Sequence, residues 1–372
     1  MAFWIGLAIF ILASIVAERL LPPQYKKFMP MLVMVVLTFF GLFRYEIGTD
    51  YDWYIVLFDT VKIDDLYPEP TFLLLVEFLH QFHFSYQVMF IAYELPIMLL
   101  LWSGIRYYTK DTEIQILIVA LYYCLQYFFS LNGIRQGLSM VLIFWGYRYC
   151  LERSLWKYLL VVALAASMHY SAVVAAVLYF VPKRVFSWYK YAIVFILTFI
   201  VFKLNIVLAF LSALFGILQV DGRYLNYLSD VDSVNMTGLY MFVQFGLFSI
   251  ARIAIMELKP QYKGLLNLWF LGILGHFLFS FSLPITRLTK YFEYFIILIM
   301  PYTIQYLNSN FLLQVKDKIY NFKWGYIILL FYMYTFLNMM SGIPQDYYSN
   351  WRNPYPSSMN IEYQFNFKMF DR

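Results

Sequence analysis

The sequence predicts an all-α, polytopic helical membrane protein, and three observations predict it. The residues AVILMFWYC make up 62% of the 372-residue chain and charged residues only 13%, a balance outside that of soluble globular domains. Apolar runs recur that approach the ~20 residues a helix needs to cross a bilayer. The short alternating segments that would close a membrane barrel do not appear. The formal charge of +5 comes from Lys and Arg at the edges of apolar runs, not from a basic soluble region. Membrane lipid is therefore the expected surroundings, and nucleic acid is not an expected partner.

Taken in order, the run 3–17 has no basic segment before it and reads as an uncleaved first helix. Runs at 28–43, 84–105, 114–131, 134–151, 188–204, 237–256, 264–282, 288–308 and 324–341 continue the series to about ten full spans. Three apolar pieces differ. The piece 70–82 is about half length and holds Glu77 and His80, three apart and expected to pair on one face. The run 158–181 is interrupted by Ser167-Met168-His169-Tyr170-Ser171, and 205–219 abuts Lys203 and Asn205. Re-entrant or interfacial half-helices fit such pieces. Basic residues cluster at 18–27, 106–113, 148–157, 183–190, 252–263 and 316–323. All fall on one side only if 70–82 does not cross and 158–181 turns back as a hairpin. That side is then cytoplasmic and both termini face outward. No repeat or linker divides the chain, so one integral-membrane domain, 1–372, is expected, with outer loops 44–69 and 220–236 and an outer tail 342–372.

On this topology the unusual polar groups collect on the outer side. Ser130-Leu131-Asn132-Gly133-Ile134-Arg135-Gln136 lies between the apolar runs 114–129 and 137–145. Asn132 is expected to cap the following helix, whose first N–H groups and positive dipole end then point with Arg135 toward an anion. The other reading is an arginine snorkelling from a helix end. After the second run, Gly48 permits a tight turn, and Thr49 and Asp50 are placed to bond backbone or a sugar hydroxyl. Tyr51, Trp53 and Tyr54 offer flat faces for sugar rings, or form an interfacial aromatic belt. Glu69, in Tyr67-Pro68-Glu69-Pro70, is either the wall or base of an outer cleft or an acid favoured by a helix start. His169, in the break of 158–181, is either a base for a hydroxyl proton or a partner for freed backbone.

Further along come Asp221-Gly222-Arg223-Tyr224 and Pro284-Ile285-Thr286-Arg287. Positions 287, 290/291 and 294 share a helical face, and Lys290–Glu293 reads as a neutralising pair. Arg287 with Arg135 would hold a diphosphate better than either alone. The stretch 351–356 is aromatic and extended, a lid or a surface tail. Cys124 and Cys150 sit in apolar runs as inert packing residues. His83, His276 and Glu94 show no ligand spacing, so neither zinc nor another metal is expected. With no glycine-rich phosphate loop, no cofactor is expected either.

Arg44 followed by Gly48-Thr49-Asp50-Tyr51 and Tyr54, then Glu69-Pro70, Asn132-x-Ile134-Arg135-Gln136 and His169-x-Ser171, resembles in order and spacing the EpsG family. These are Wzy-like polymerases of bacterial exopolysaccharide, capsule or O-antigen. The resemblance covers roughly residues 40–300, and Arg287-x-x-x-Tyr291-Phe292 and Pro354-Tyr355 also look like its pattern. Arg223-Tyr224 fits less closely, and Tyr170 stands where a small residue or proline is expected. The resemblance implies a glycosyltransferase at the outer face of the bacterial inner membrane. It would move a growing glycan from undecaprenyl diphosphate onto the terminal sugar of a lipid-linked repeat unit. Neither a nucleotide sugar nor an essential metal is implied, and a chain-length regulator is a conceivable partner.

On that reading His169, or else Asp50 or Glu69, removes the acceptor proton, and attack from the opposite face inverts the anomeric centre. Arg135, Arg287 and Arg44 bind the diphosphate. Asn132, Gln136, Tyr51, Tyr54, Arg223 and Tyr291 contact substrate. The rival readings are a flippase or transporter of lipid-linked sugars, which would share the broken helices and buried charges, and an outer-face ligase or acyltransferase using His169.

Overall fold

The computed structural model describes the chain except residues 49, 63–67, 218–236, 311–312, 316–317, 321–322, 351–363 and 366–372. Thr49, Tyr67, the motif carrying Asp221, Arg223 and Tyr224, and the 351–356 stretch lie outside the described residues. The described chain is helical apart from two small ladders of paired strands, as an all-α membrane protein requires.

In chain order, α1 (Ala2–Leu20) is followed by a turn and α2 (Phe28–Leu42), then by β1 (Arg44–Tyr45), α3 (Tyr51–Thr60) and α4 (Pro70–Gln81). Next come α5 (Tyr86–Tyr108), α6 (Thr112–Tyr122), a π-helical turn (Tyr123–Tyr127), α7 (Phe128–Asn132) and α8 (Ile134–Gly146). Helix α9 (Leu155–Met168) runs into a 3₁₀ stretch, Tyr170–Tyr179. The remaining helices are α10 (Trp188–Lys203), α11 (Ile206–Ile217), α12 (Thr237–Leu258), α13 (Lys263–Phe279), α14 (Ile296–Asn310) and α15 (Tyr326–Asn350). Among the described residues, six helical stretches are long and apolar enough to cross a membrane, and α10 with α11, bent by 60°, would make a seventh. The bend falls at Asn205, whose φ of +51° suits a residue that tolerates the left-handed region.

Three expected elements come out differently. The run 134–151 yields the 13-residue α8 and a separate turn, Arg148–Leu151; a helix of that length rises only about 20 Å. The run 288–308 begins as two short turns, Arg287–Thr289 and Lys290–Glu293, before α14. Glu77 and His80 share a face but find other partners. Glu77 accepts from Gln81 Nε2 at 3.4 Å, and the His80 ring meets Phe58 edge-on at 4.5 Å.

The chain divides into two compact units, Met1–Val173 with Leu307–Arg372, and Val174–Tyr306. In the first, α6 and α8 are buried nearly all round; apolar side chains fill most of both helices, and the polar exceptions, Gln115 on α6 and Arg135, Gln136 and Ser139 on α8, are buried with them. Helix association inside a bilayer draws little from hydrophobic transfer, so close packing and interhelical hydrogen bonds must supply it. Tyrosines do much of this: Tyr123 donates to the Trp4 carbonyl at 2.7 Å, Tyr127 to Leu37 at 2.7 Å and Tyr108 to Phe144 at 2.8 Å. Trp4 and Tyr123 also pack on Phe336, so α15 returns to the first helix.

Gly137 lets α8 lie against the end of α7. A Cβ there would stand 2.9 Å from the Ser130 Cα, which is backbone and cannot swing away. Gly137→Ala is expected to cost about 1–3 kcal/mol, the usual range for overpacking, read as lowered thermal stability in detergent.

In the second unit the aromatic rings form the core. Phe195 stacks on Phe245 at 4.2 Å, with Phe242 and Phe277 edge-on around it. Beneath them Tyr191 donates to Asn267 Oδ1 at 2.6 Å, and the Asn267 amide donates to the Arg184 carbonyl at 2.9 Å.

Candidate functional site

The site in the first unit starts from a proline. Pro70 occupies the first position of α4, where its missing N–H costs nothing, and Glu69 takes the N-cap position before it. The Glu69 side chain does not close on its own helix; it reaches two others. Oε1 accepts from His169 Nδ1 at 2.6 Å and from the Tyr170 backbone N–H at 3.2 Å. Oε2 pairs with Arg135 Nη1. Thr71 also donates to the Ser167 carbonyl, so the start of α4 is tied twice to the end of α9. His169 stands where α9 stops, its backbone extended at φ −158°.

Glu69 is 1% exposed and the Arg135 side chain 7%, whereas the His169 side chain is 28% exposed. Burial alone would push the Glu69 carboxyl up, but the His169 hydrogen bond and the Arg135 charge outweigh it and leave it below the ordinary carboxylate range. An ionised Glu69 can only accept, so His169 Nδ1 must carry the proton it donates. In the neutral ring Nε2 is then the basic nitrogen. A buried carboxylate thus fixes the tautomer of a partly exposed imidazole. The Arg135 guanidinium is further seated over the rings of Phe72 at 5.4 Å and Tyr54 at 5.7 Å.

The loop before α3 docks onto the same corner. Asn132 Oδ1 accepts from the Asp50 backbone N–H at 2.9 Å. Gly48 has a φ of +109°, where any other residue is strained, and a Cβ there would also crowd that same oxygen at 3.1 Å. This corrects the expectation for Asn132. The N-cap position of α8 is Gly133, with no side-chain bond, because the Asn132 amide is turned to the loop that carries Asp50.

The tyrosines are corrected as sugar platforms. Tyr51 is 2% exposed and stacks on Phe90 at 4.7 Å, and Tyr54 is 4% exposed against Phe72 and Phe90. Trp53 is the exposed ring of the three. Arg44 is likewise corrected as an open diphosphate ligand. It is buried with its guanidinium 4.7 Å from the Phe90 ring, and its backbone pairs opposite Phe365. Gln136 is buried beside Arg135, and Arg135 itself is occupied by Glu69.

In the second unit Arg287 is exposed and Tyr291 is buried, and the expected Lys290–Glu293 pair forms at 2.9 Å. Phe72 and Phe90, which seat the two arginines, carried no signal in the sequence because they read as ordinary apolar positions. Among the described residues no three of His, Cys, Asp and Glu gather as metal ligands.

Within the first unit, therefore, motifs from five stretches of the chain meet: Gly48 and Asp50, Tyr54, Glu69, Asn132 with Arg135, and His169. No curated protein and no solved structure matches the chain. The family model described as the EpsG family matches residues 27–353, which hold every residue of this cluster, and the chain belongs to the EpsG family.

Proposed function

We propose that the chain is a polysaccharide polymerase of the bacterial inner membrane, 1–372 forming one polymerase domain with about ten spans and both termini outward. It transfers a growing glycan from undecaprenyl diphosphate to a lipid-linked repeat unit, in the making of exopolysaccharide, capsule or O-antigen. EpsG membership supports the class of reaction. The observation that carries the mechanism is the His169 imidazole oriented by ionised Glu69.

The acceptor hydroxyl gives its proton to His169 Nε2 as its oxygen attacks the anomeric carbon. The bond from that carbon to the diphosphate oxygen breaks, its electron pair leaves with the lipid diphosphate, and attack from the far side inverts the centre. Glu69 stabilises the imidazolium that forms, as the buried carboxylate does in the serine-protease triad. Its own lowered pKa makes it a poor base, which favours His169 over Glu69 for that role. Asp50, whose backbone N–H docks on Asn132, is read as an acceptor contact. Arg44 and Arg135 offset the charge of the departing diphosphate through their positive field instead of by contact, and Arg287, exposed in the second unit, is by itself a proposed ligand for a lipid diphosphate.

The test is purified protein in a bilayer with a defined repeat on undecaprenyl diphosphate. A ladder of lengthening glycan is expected, with one lipid diphosphate released per bond and no change on adding chelator. Movement of the repeat across the bilayer without a new glycosidic bond would instead make the chain a transporter. A single transfer to another acceptor would make it a ligase.

A further inference from the structure

The second unit holds a carboxylate–histidine pair of its own, built for a different use. Glu293 Oε1 receives Thr289 Oγ at 2.8 Å and faces His276 Nδ1 at 3.1 Å, and Oε2 receives Lys290 Nζ at 2.9 Å. A simple i,i+3 neutralisation of Lys290 needs neither the histidine nor the close helix approach found here. Gly272 and Gly275 thin α13 where the cluster stands. A Cβ at Gly272 would lie 2.8 Å from Glu293 Cγ, and one at Gly275 would lie 2.9 Å from Thr289 Cγ2. The backbone contact brings His276 of α13 onto the same carboxylate as Lys290.

Exposure separates the two clusters. Around Glu69 the cation is shut between rings and only an imidazole is accessible. Around Glu293 the Lys290 side chain is 29% exposed and His276 22%, and exposed Arg287 stands three residues before Lys290, on its face. Among the described residues Lys290 spends one of its three N–H groups on Glu293, and His276 Nε2 has no partner. Ammonium donors held beside a second basic residue suit an anion with several oxygens.

We propose that Lys290, His276 and Arg287 form a binding site for a phosphate or diphosphate group, with Glu293 and Thr289 as positioning residues that hold the lysine and histidine side by side. The identity of the group as the carrier lipid's diphosphate rests on the function proposed above; the binding of phosphate does not. The experiment is therefore a binding measurement on the full chain in nanodiscs of neutral lipid. Inorganic pyrophosphate, farnesyl diphosphate and phosphatidylglycerol are titrated as three separate probes of free anion, lipid diphosphate and phospholipid headgroup.

Binding of at least one probe is expected, weakened by about tenfold or more in Lys290→Met, the scale of losing a hydrogen bond to a charged group. Lys290→Arg should keep most of it. His276→Asn, which retains a donor toward Glu293, should also weaken it and guards against a Lys290→Met protein that does not fold. Retention of wild-type affinity for every probe in both His276→Asn and Lys290→Met, or no binding by the wild type, overturns the site. Polymer formation is not part of the readout, so loss of the polymerase reading and loss of this site remain separate results.

Discussion

His169→Asn is expected to fold as the wild type does and to extend glycan about 10²–10⁴ times more slowly, the usual worth of a positioned general base. The choice of asparagine follows from the geometry. Its amide N–H reaches roughly where His169 Nδ1 donates to Glu69, so the buried carboxylate keeps that hydrogen bond and its Arg135 partner. What is lost is Nε2, the second ring nitrogen of a side chain that is 28% exposed. The rate should therefore fall through kcat with KM for the acceptor little changed. Added imidazole should restore part of the rate in His169→Ala, where the ring leaves a space. A His169→Asn protein with wild-type chain lengths and initial rates would remove the base from the mechanism, and Asp50 would then be the remaining carboxylate to try.

The sequence carried the helical class well because apolar runs are long and unmistakable, and because Pro70 and the Ser167–Ser171 interruption mark where helices start and stop. It also singled out the polar residues that meet around Glu69, since each stands out against an apolar background. What it could not give was who meets whom. Glu69 lies 66 positions from Arg135 and 100 from His169, and no local periodicity connects them. The aromatic faces failed for a related reason: a tyrosine stacked on Phe90 and one open to a sugar have the same sequence signature. Asn132 looked like a helix cap because caps are local, whereas its partner, the Asp50 N–H, is 82 positions away. The Glu293 cluster was partly legible. Thr289, Lys290 and Glu293 have i,i+3 and i,i+4 spacing, and two glycines three apart on a neighbouring apolar helix signal close approach. Only His276, on that other helix, needed the fold.

Arg135→Met alone is expected to destabilise the protein by about 3–5 kcal/mol, the cost of stranding one partner of a buried ion pair. The damage comes from the charge left behind. With Arg135 gone, Glu69 keeps a 1% exposed carboxylate supported by His169 and one backbone N–H alone. Glu69→Gln likewise takes the carboxylate away from buried Arg135, which sits over Tyr54 and Phe72. The double variant Arg135→Met/Glu69→Gln removes both charges and should recover much of the loss, with a coupling of about 0.5–3 kcal/mol in a double-mutant cycle of thermal or denaturant unfolding. Additive losses would mean that the two side chains do not share an energetic fate, and the pair would cease to be the anchor of the site. The acid response provides an independent check. The carboxyl of Glu69 titrates lower in the folded chain than in the unfolded one. Its contribution is thus complete above the ordinary glutamate value of about 4.3 and is lost as pH falls through the lowered folded value. Wild-type stability should decline over that acidic window more steeply than that of the double variant, which has no carboxyl at position 69 to protonate. Yet the same double variant should polymerise poorly, because a stable fold without Glu69 no longer holds the His169 tautomer. Stability restored without rate would separate what the ion pair does for the fold from what its carboxylate does for the imidazole.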